Sequence, residues 1–403
     1  MSSSLDARVL VHALLAGATL AGAACGDDAG ATRMTDANVD ATMDGGQDAS
    51  GSHAYPLDDT LRMSDVQAVG THNSFHLRPP EPLFSEIEKR LPPAAEAWDY
   101  SHHPLKEQFE DLGIRQIELD VYADPDGGLF ANRAGWKALN MDPASGLPEL
   151  DEPGLKVLHL PDVDFETTCL TFVACLREVR AFSEDHPSHF PIAVLVEAKE
   201  DVVPDIFMLG FVMPLPVTGE LIDTIEDEIL SVFDRDRILT PDDVRGDAAT
   251  LREAIETHGW PLLRDARGKV VFMLDNGGTL KTALVDGHPS LAGRILFASA
   301  EPPEDEAAFV KLNDPIADGA HIQDLVEQGF MVRTRADGDT RQARSGDTTQ
   351  REAALESGAH WISTDFPEPD PSLGSDYHVT LDGRTLACNP VTAPDNCSPD
   401  ALE

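Results

Sequence analysis

The segment Ile192-Ala193-Val194-Leu195-Val196-Glu197 is an almost continuous apolar run that ends in a carboxylate. Such a run is typical of a parallel β-strand that other elements cover on both faces. Seven further short runs resemble it, and the sequence therefore predicts eight strands. In chain order the eight runs are 66–69, 114–121, 156–159, 192–197, 270–274, 295–298, 330–333 and 361–364.

The stretches between these runs show helical spacing where the pattern is clearest. They are 170–183, 219–233, 248–258, 307–312, 322–328 and 348–357. Eight alternating strand and helix units predict an α/β protein with a (β/α)8 barrel, which we place at residues 56–370. An open doubly wound sheet is the alternative, and it is less favoured because no glycine-rich phosphate loop follows the first run.

The overall charge limits the kinds of molecule that the protein can bind. The 403 residues are 41% hydrophobic, and 72 acidic residues against 30 Lys and Arg give a formal net charge of -42. The negative charge argues against nucleic-acid binding, because the phosphate backbone would be repelled. Binding to an anionic membrane would need a local apolar or basic patch, or a covalent tether.

The N-terminus predicts such a tether. Residues 9–24 are apolar, Arg8 precedes them and small residues lead to Cys25, which is the pattern of an export signal. We expect residues 1–24 to be removed and Cys25 to be lipidated as the mature N-terminus at the cell envelope. Ordinary secretion with an unmodified Cys25 is the alternative. Residues 25–55 contain few large apolar side chains that a core could bury, and this composition predicts a disordered linker. Beyond the N-terminus, no stretch is long enough to span a bilayer.

The other four cysteines form two close pairs, Cys169 with Cys175 and Cys388 with Cys397. In an oxidising compartment each pair can form a local disulfide, which agrees with export. Free buried thiols are the alternative for the first pair. The tail at 371–403 carries no functional signal besides its cysteines, and we expect the protein to be a monomer.

Polar side chains follow the first four runs at the ends where a barrel places its active face. His72 and Asn73 follow the first run, Glu118 and Asp120 close the second, and His159 and Glu197 end the third and fourth. Because side chains two apart on a strand share a side, Glu118 and Asp120 should face the same interior.

An amide oxygen and three carboxylates make an oxygen-only ligand set: Asn73, Glu118, Asp120 and Glu197. Such a set favours Ca²⁺, with Mg²⁺ second because magnesium sites use fewer protein ligands. Any one of these acids alone would more often be a solvated carboxylate or a helix cap. Three carboxylates in one place, however, repel each other unless a cation joins them.

The two histidines predict proton chemistry beside this ion. His72 and His159 can face each other across the mouth, where one would donate a proton to a leaving oxygen and the other would stabilise developing charge. A lone histidine is more often a hydrogen-bonded core residue. Lys199, Arg333 and Arg335 could contact phosphate or inositol hydroxyls, and ion pairing inside the barrel is an equal alternative.

These motifs resemble the catalytic X region of phosphoinositide-specific phospholipases C, in particular the bacterial calcium-dependent branch. The resemblance rests on Gly70-Thr71-His72-Asn73-Ser74, on Ile117-Glu118-Leu119-Asp120, on His159 and on Glu197. Residues 332–337 and 363–367 also look like that branch. The order of the motifs is fairly specific, although each motif alone is weak, and the resemblance covers about residues 62–370.

The resemblance implies roles for these residues. Those matching Asn73, Glu118, Asp120 and Glu197 hold calcium, the one matching His72 stabilises the pentavalent transition state, and the one matching His159 protonates the lipid leaving group. The inositol 2-hydroxyl attacks phosphorus and yields a cyclic inositol phosphate and diacylglycerol at a membrane surface. Glu118 is our first choice as general base.

Two other functions are also compatible with the sequence. A glycerophosphodiester phosphodiesterase or sphingomyelinase D-like enzyme would share the barrel and the Glu-x-Asp pair, but the former group shows Arg-Gly where this chain has Asn73. The third hypothesis is a surface lipoprotein that binds calcium or lipid without turnover. The chain also carries a Pro-rich segment from Leu77 to His103 that resembles an inserted loop over the barrel mouth.

Overall fold

A computed structural model describes residues 55–403. The predicted signal, the predicted lipidation site at Cys25 and nearly all of the predicted linker lie outside the described residues. Within residues 55–403, no helix has the length and apolar character needed to cross a membrane.

Eight parallel strands form a barrel, as the sequence predicts. Their order around the ring is β1 (Val66–Thr71), β2 (Gln116–Tyr122), β4 (Ile192–Ala198), β5 (Val270–Leu274), β6 (Leu296–Ala298), β7 (Phe309–Lys311), β8 (Met331–Arg335) and β9 (Trp361–Thr364). β9 pairs with β1, and a single bridge between Ser299 and Phe309 joins β6 to β7. The chain is therefore a (β/α)8 barrel whose seam at β6 and β7 is thinly paired.

Two assignments of the sequence pattern are wrong. Residues 156–159 are not a barrel strand, because only β3 (Lys156–Val157) is extended there and it pairs antiparallel with β2. Conversely, residues 307–312 contain β7 instead of a helix. Such short apolar segments carry no reliable period, so only their pairing distinguishes strand from helix.

The predicted helices at the other five places are present, and seven short helices were not predicted. The bounds are α1 (Leu83–Arg90), α2 (Pro92–Ala97), α3 (Leu105–Glu110), α4 (Phe172–Asp185), α5 (Glu220–Val232), α6 (Pro241–Arg245), α7 (Leu251–His258), α8 (Leu263–Ala266), α9 (Gly278–Val285), α10 (Pro315–Glu327), α11 (Arg341–Ser345) and α12 (Thr349–Glu356).

Capping explains where two of the helices that cover the barrel begin. The Thr171 hydroxyl accepts a hydrogen bond from the Ala174 amide at the start of α4. The Thr250 hydroxyl accepts one from the Glu253 amide at the start of α7. Each threonine satisfies a helix amide that has no partner within the helix.

Three βα loops at the carboxyl ends of the strands carry most of the irregular chain. Loop A (72–104) follows β1, loop B (123–171) follows β2 and loop C (199–219) follows β4. The Pro-rich segment from Leu77 to His103 is the main part of loop A, and it contains α1 and α2 rather than irregular chain alone. Loops A and B share an apolar cluster, distinct from the barrel core, whose largest members include Phe84, Trp98, Phe130 and Phe165.

The C-terminal tail begins at the carboxyl end of β8, where the Tyr377 hydroxyl donates to the Ala336 carbonyl, and from β10 onward it packs at the amino ends of the strands, opposite these loops. β10 (Leu386–Cys388) pairs antiparallel with the start of β1, and the carboxylate of Glu403 binds the Arg115 guanidinium at 2.6 Å. Both predicted disulfides, Cys169–Cys175 and Cys388–Cys397, are formed. The tail therefore belongs to the folded body, with one disulfide in loop B and the other in the tail.

Candidate active site

A solvent-open cavity of about 930 Å³ lies at the carboxyl ends of the strands. All nine residues proposed from the sequence line it: His72, Asn73, Glu118, Asp120, His159, Glu197, Lys199, Arg333 and Arg335. The barrel therefore brings together residues that are up to 263 positions apart.

The loop after β1 is held against β2, and this presents His72 and Asn73 to the cavity. The Ser74 amide donates to the Glu118 carbonyl at 3.0 Å, and the Ser74 hydroxyl accepts from the Glu118 amide at 2.8 Å. Asn73 turns the chain with a positive φ of 43°, a conformation that asparagine tolerates better than most residues. A Cβ at Gly70 would lie 2.1 Å from Gln116 Oε1, so only glycine allows β1 to approach β2 this closely.

The acidic side chains form an oxygen cluster with the character of a hard-cation site. Carboxylate oxygens of Glu118, Asp120 and Glu197 lie within 4.8 Å of one another. Both carboxylate oxygens of Asp120, and Oδ1 of Asn73, are buried without a hydrogen-bond partner. Buried polar atoms are nearly always paired, so these orphaned oxygens fit a divalent cation that prefers oxygen ligands.

The electrostatics of the cluster agree with that fit. Burial raises the pKa of the Glu118 carboxyl to about 7. Burial, together with the neighbouring Glu197 and Glu118 carboxylates, raises the pKa of Asp120 well above its usual range, although Lys199 opposes this. A divalent cation bound by these oxygens would favour their charged forms and lower both pKa values.

The three cationic candidates are all ion-paired. The Lys199 ammonium lies 3.5 Å from Asp120 Oδ2 and 3.6 Å from Glu197 Oε2. The Arg333 guanidinium contacts Glu118 and donates to the Ser363 hydroxyl at 2.9 Å, so it ties β8 to β2 across the barrel. Ion pairing, the alternative that the sequence left open, is thus observed, and a role in substrate binding stays a prediction.

His72 is oriented by a carboxylate and an arginine. Its Nδ1 lies 2.8 Å from Asp365 Oδ1, and Arg335 Nη1 donates to its Nε2 at 3.3 Å. These partners assign the proton to Nδ1, which donates to Asp365, and make Nε2 the acceptor of the hydrogen bond from Arg335. Burial, followed by the charges of Arg335 and Arg333, lowers the pKa of His72 well below its usual value.

His159 reaches the cavity from loop B and not from a barrel strand. Its Nδ1 lies 2.6 Å from Asp164 Oδ2, and its carbonyl accepts a hydrogen bond from the Tyr122 hydroxyl at 3.0 Å. The Asp164 carboxylate also binds His76 Nε2 at 2.9 Å. Although burial acts to raise it, the two histidines hold the pKa of Asp164 below its usual value.

His76, His159 and Asp164 are also close enough to one another to hold a metal ion. Their mutual hydrogen bonds already use both Asp164 oxygens, however, and the ring of Tyr100 stacks on His76 at 4.3 Å between centroids. This group is therefore best described as a hydrogen-bonded support for His159.

Sequence reasoning missed several residues of the cavity, in two classes. Asp275 directly follows β5, so the same strand-end rule would have found it. Lys311 was hidden because its segment was assigned to a helix. Trp98, Tyr100 and Asp164 lie on loops A and B, where no local pattern marks them.

Comparison with known proteins assigns the chain. The model of the family described as "Phosphoinositide phospholipase C, Ca2+-dependent" matches residues 61–390. Comparison with individual curated protein sequences gives no match.

Three solved structures illustrate the structural likeness. A calcium-dependent phosphoinositol-specific phospholipase C from Pseudomonas sp. is 14% identical over 84% of this chain and 100% of its own, with a TM-score of 0.49. A Ca²⁺-dependent phosphatidylinositol-specific phospholipase C from Streptomyces antibioticus is 16% identical over 76% and 96%, with a TM-score of 0.44. A glycerophosphoryl diester phosphodiesterase from Parabacteroides distasonis is 11% identical over 83% and 94%, with a TM-score of 0.29. Because these scores are low, the family match alone makes the assignment.

Proposed function

Because this chain belongs to the Ca²⁺-dependent phosphoinositide phospholipase C family, we propose that the cavity at the barrel mouth is its catalytic centre. The enzyme is a calcium-dependent phosphodiesterase that cleaves phosphatidylinositol-like lipids. One observation carries the assignment of the centre. Buried oxygens of Asn73 and Asp120 that accept no hydrogen bond lie in the same cavity as two histidines, each oriented by its own aspartate.

We assign the ion to Asn73, Glu118, Asp120 and Glu197. When bound, Ca²⁺ supplies a lowered pKa for the attacking inositol 2-hydroxyl and neutralises charge on the phosphoryl oxygens. Glu118 is the proposed general base for that hydroxyl. Its Oε2 is held by Arg333, while its Oε1 lies 3.7 Å from His72 Nε2.

His72 and Arg335 form the phosphoryl side of the centre. The Asp365 carboxylate fixes the ring of His72 and also pairs with Arg335 Nη2 at 3.1 Å, so both groups are held in place before substrate arrives. Arg335 is the hydrogen-bond donor of this pair, and because its guanidinium is already oriented it can stabilise the charge of a pentavalent phosphorane without reorganising. We therefore place the phosphorus between this pair and the oxygen cluster.

His159 forms the leaving-group side. Because Asp164 accepts from Nδ1, the other ring nitrogen is the one available to protonate the glycerol oxygen as the bond to phosphorus breaks. The products are a cyclic inositol phosphate and diacylglycerol. Lys199 remains a proposed contact for phosphate or for an inositol hydroxyl.

We further propose that the active face docks on a membrane surface. Of ten exposed large hydrophobic residues in the described chain, eight lie on loops B and C. From Val202 to Gly219 the only charged residue is Asp205, and its carboxylate accepts hydrogen bonds from the amides of Leu209 and Gly210. An apolar rim of this kind marks an interaction site, and it avoids the repulsion that a net charge of -42 would meet at anionic lipid.

Export as a lipoprotein anchored through Cys25 remains a proposal, as does the monomeric state. The two disulfides support an oxidising compartment. Mass spectrometry of the mature protein would find an acylated Cys25 at the N-terminus. A Cys25→Ser variant that keeps its place in the membrane fraction would contradict the anchor.

One assay tests the function. The protein is incubated with phosphatidylinositol, phosphatidylcholine or glycerophosphodiesters, with calcium or with a chelator. We expect cyclic inositol phosphate only from phosphatidylinositol and only with calcium. Headgroup release from phosphatidylcholine or from deacylated diesters would favour the glycerophosphodiesterase or sphingomyelinase D-like reading. No turnover of any substrate would favour a binding lipoprotein.

A further inference from the structure

An apolar groove of about 620 Å³ lies beside the catalytic cavity, between loops A and C. Its walls come from α1 on one side and from loop C on the other, with Trp98 and Val163 between them. Its apolar lining includes Leu83, Ile87, Trp98, Val163, Ile206 and Phe207. The apolar lining is that of a site for a small apolar ligand.

The groove begins where the leaving group would depart. Trp98 lines both the groove and the catalytic cavity. Its indole stands edge-on to the His159 ring, with centroids 6.2 Å apart and planes at 83°. A lipid whose leaving oxygen faces His159 therefore has Trp98, and then the groove, directly ahead of its glycerol.

We propose that this groove binds one fatty acyl chain of the substrate, so that the enzyme recognises the diacylglycerol portion as well as the headgroup. The inference rests on the proposed function, because the position of His159 relative to the leaving oxygen defines the direction of the lipid. An acyl chain in the groove would leave the membrane at the same step that brings the phosphodiester into the cavity.

The charges at the groove favour an uncharged apolar occupant. Its two charged lining residues pair with each other, since Arg90 Nε lies 2.5 Å from Glu86 Oε1. The Arg90 guanidinium also covers the Phe207 ring at 4.7 Å. Neither charge is thus free to recruit a charged segment, and burial of an alkyl chain against the remaining walls is favourable in proportion to its area.

On loop C, the residues that line the groove differ from the most exposed residue, so substitutions can test acyl-chain binding and membrane contact separately. Asp205 holds the loop through the amides of Leu209 and Gly210. Ile206 and Phe207 consequently face the groove, whereas Met208 between them and Leu209 is 91% exposed and lines no part of the groove. Neighbouring positions of one loop therefore test two different surfaces.

The test compares two substrates that differ only in the apolar portion. Dihexanoyl phosphatidylinositol is used below its critical micelle concentration, so no membrane is present, and methyl phosphoinositol serves as the substrate without acyl chains. Ile206→Asp places a charge in the groove, and Ala138→Phe fills it without a charge. We expect each to raise KM for the dihexanoyl lipid about tenfold at unchanged kcat, and to leave methyl phosphoinositol turnover unchanged.

Met208→Asp is the matched control, and it should leave both soluble substrates unaffected. Equal KM values for the wild type, Ile206→Asp and Ala138→Phe on the dihexanoyl lipid would overturn the proposal. Circular dichroism and thermal unfolding verify that the variants are folded, which we expect because Ile206 is 51% exposed and Ala138 is half-buried.

A binding measurement separates failure of the groove from failure of the proposed function. Titration calorimetry with dihexanoylglycerol needs no turnover, and we expect binding by the wild type that Ile206→Asp weakens about tenfold. If the wild type cleaves neither phosphoinositide, the proposed function fails, and the calorimetry alone then decides the groove. Absence of dihexanoylglycerol binding by the wild type would contradict the groove itself.

Discussion

The active face consists of a strand part and a loop part, which differ in how their residues are held. In the strand part, ladder hydrogen bonds between β2 and β4 hold Glu118, Asp120 and Glu197, and the hydrogen bond from the Ser74 amide to the Glu118 carbonyl holds the turn at Asn73 after β1. In the loop part, His159 lies on loop B, where a hydrogen bond from Tyr122 and the Asp164 carboxylate hold it. The strand part carries the proposed metal site and the loop part the proposed acid and the lipid side.

The difference suggests a division of labour within one barrel. A metal site needs several oxygens at fixed separations, and parallel strands supply these because their registers are rigid. The leaving-group side must fit a particular lipid, and long βα loops can change shape without disturbing the barrel. Substitutions in the two parts should therefore have separable effects on calcium binding and on chemistry.

Asp120→Asn should have the largest effect, and it should disable the proposed metal site in the strand part without changing the loop part. The substitution removes one negative charge and one of the orphaned oxygens, so calcium affinity and phosphatidylinositol turnover should each fall about a thousandfold. Calorimetric calcium titration and a turnover assay measure the two. Asp201→Asn, which removes another acid next to Lys199, is the matched control and should bind calcium normally. Normal calcium affinity in Asp120→Asn would mean that the ion is held elsewhere.

His159→Ala should break the loop part alone. Turnover of phosphatidylinositol should fall by about a hundredfold to ten-thousandfold, because the leaving oxygen loses its proton donor, while calcium affinity stays unchanged. A p-nitrophenyl phosphoinositol, whose leaving group needs no proton, should recover most of the activity. His72→Ala should remain impaired on both substrates. Loss of calcium binding in His159→Ala would show that the division between the two parts is wrong.

Asp164→Asn and Asp365→Asn test whether each aspartate acts by orienting its histidine. Each variant keeps the size of the side chain and removes the charge that orients one histidine, so we expect kcat to fall about tenfold to a hundredfold. The Asp164→Asn defect should disappear with p-nitrophenyl phosphoinositol, since it acts through the proton donor. The Asp365→Asn defect should persist. Equal behaviour of the two variants on both substrates would point to a general structural role.

Removal of either disulfide should have the smallest effect on activity, and the two disulfides should differ in whether their removal changes kcat. Replacing either pair by serine should lower the free energy of unfolding by about 2–3 kcal/mol, because each bond closes a short loop in the unfolded chain. Only removal of Cys169–Cys175 should also lower kcat, since that bond ties the end of loop B, the loop that carries His159, to α4. Urea unfolding and steady-state kinetics measure both quantities. Reduced kcat after removal of Cys388–Cys397 would contradict the separation of the tail from the active face.

Much of the strand part could be predicted because its signal is local. An apolar run and the polar residue at its end are adjacent in sequence, and a barrel places all such ends on one face. Glu118 and Asp120 line one cavity for this reason, and Asp275 at the end of β5 obeys the same rule although it was overlooked. Lys311 was missed because its strand is three residues long and has no readable period.

The loop part could be predicted only in outline. The sequence marked His159 as a site residue, but it placed that residue on a barrel strand, whereas β3 pairs antiparallel outside the ring. Asp164 shows no pattern in sequence, because its importance comes from binding two histidines, one of them 88 positions away. Trp98 likewise acquires its place from the packing of loop A against loops B and C.

By itself, the sequence determined the barrel and the set of oxygen and imidazole groups at its mouth, because strand periodicity and strand-end placement are properties of neighbouring residues. Only the tertiary structure decided which aspartate orients which histidine, and that an apolar groove adjoins His159 through Trp98. Those relations depend on contacts between loops that are distant in the chain, and side-chain burial and hydrogen bonding across such distances leave no periodic trace in the sequence.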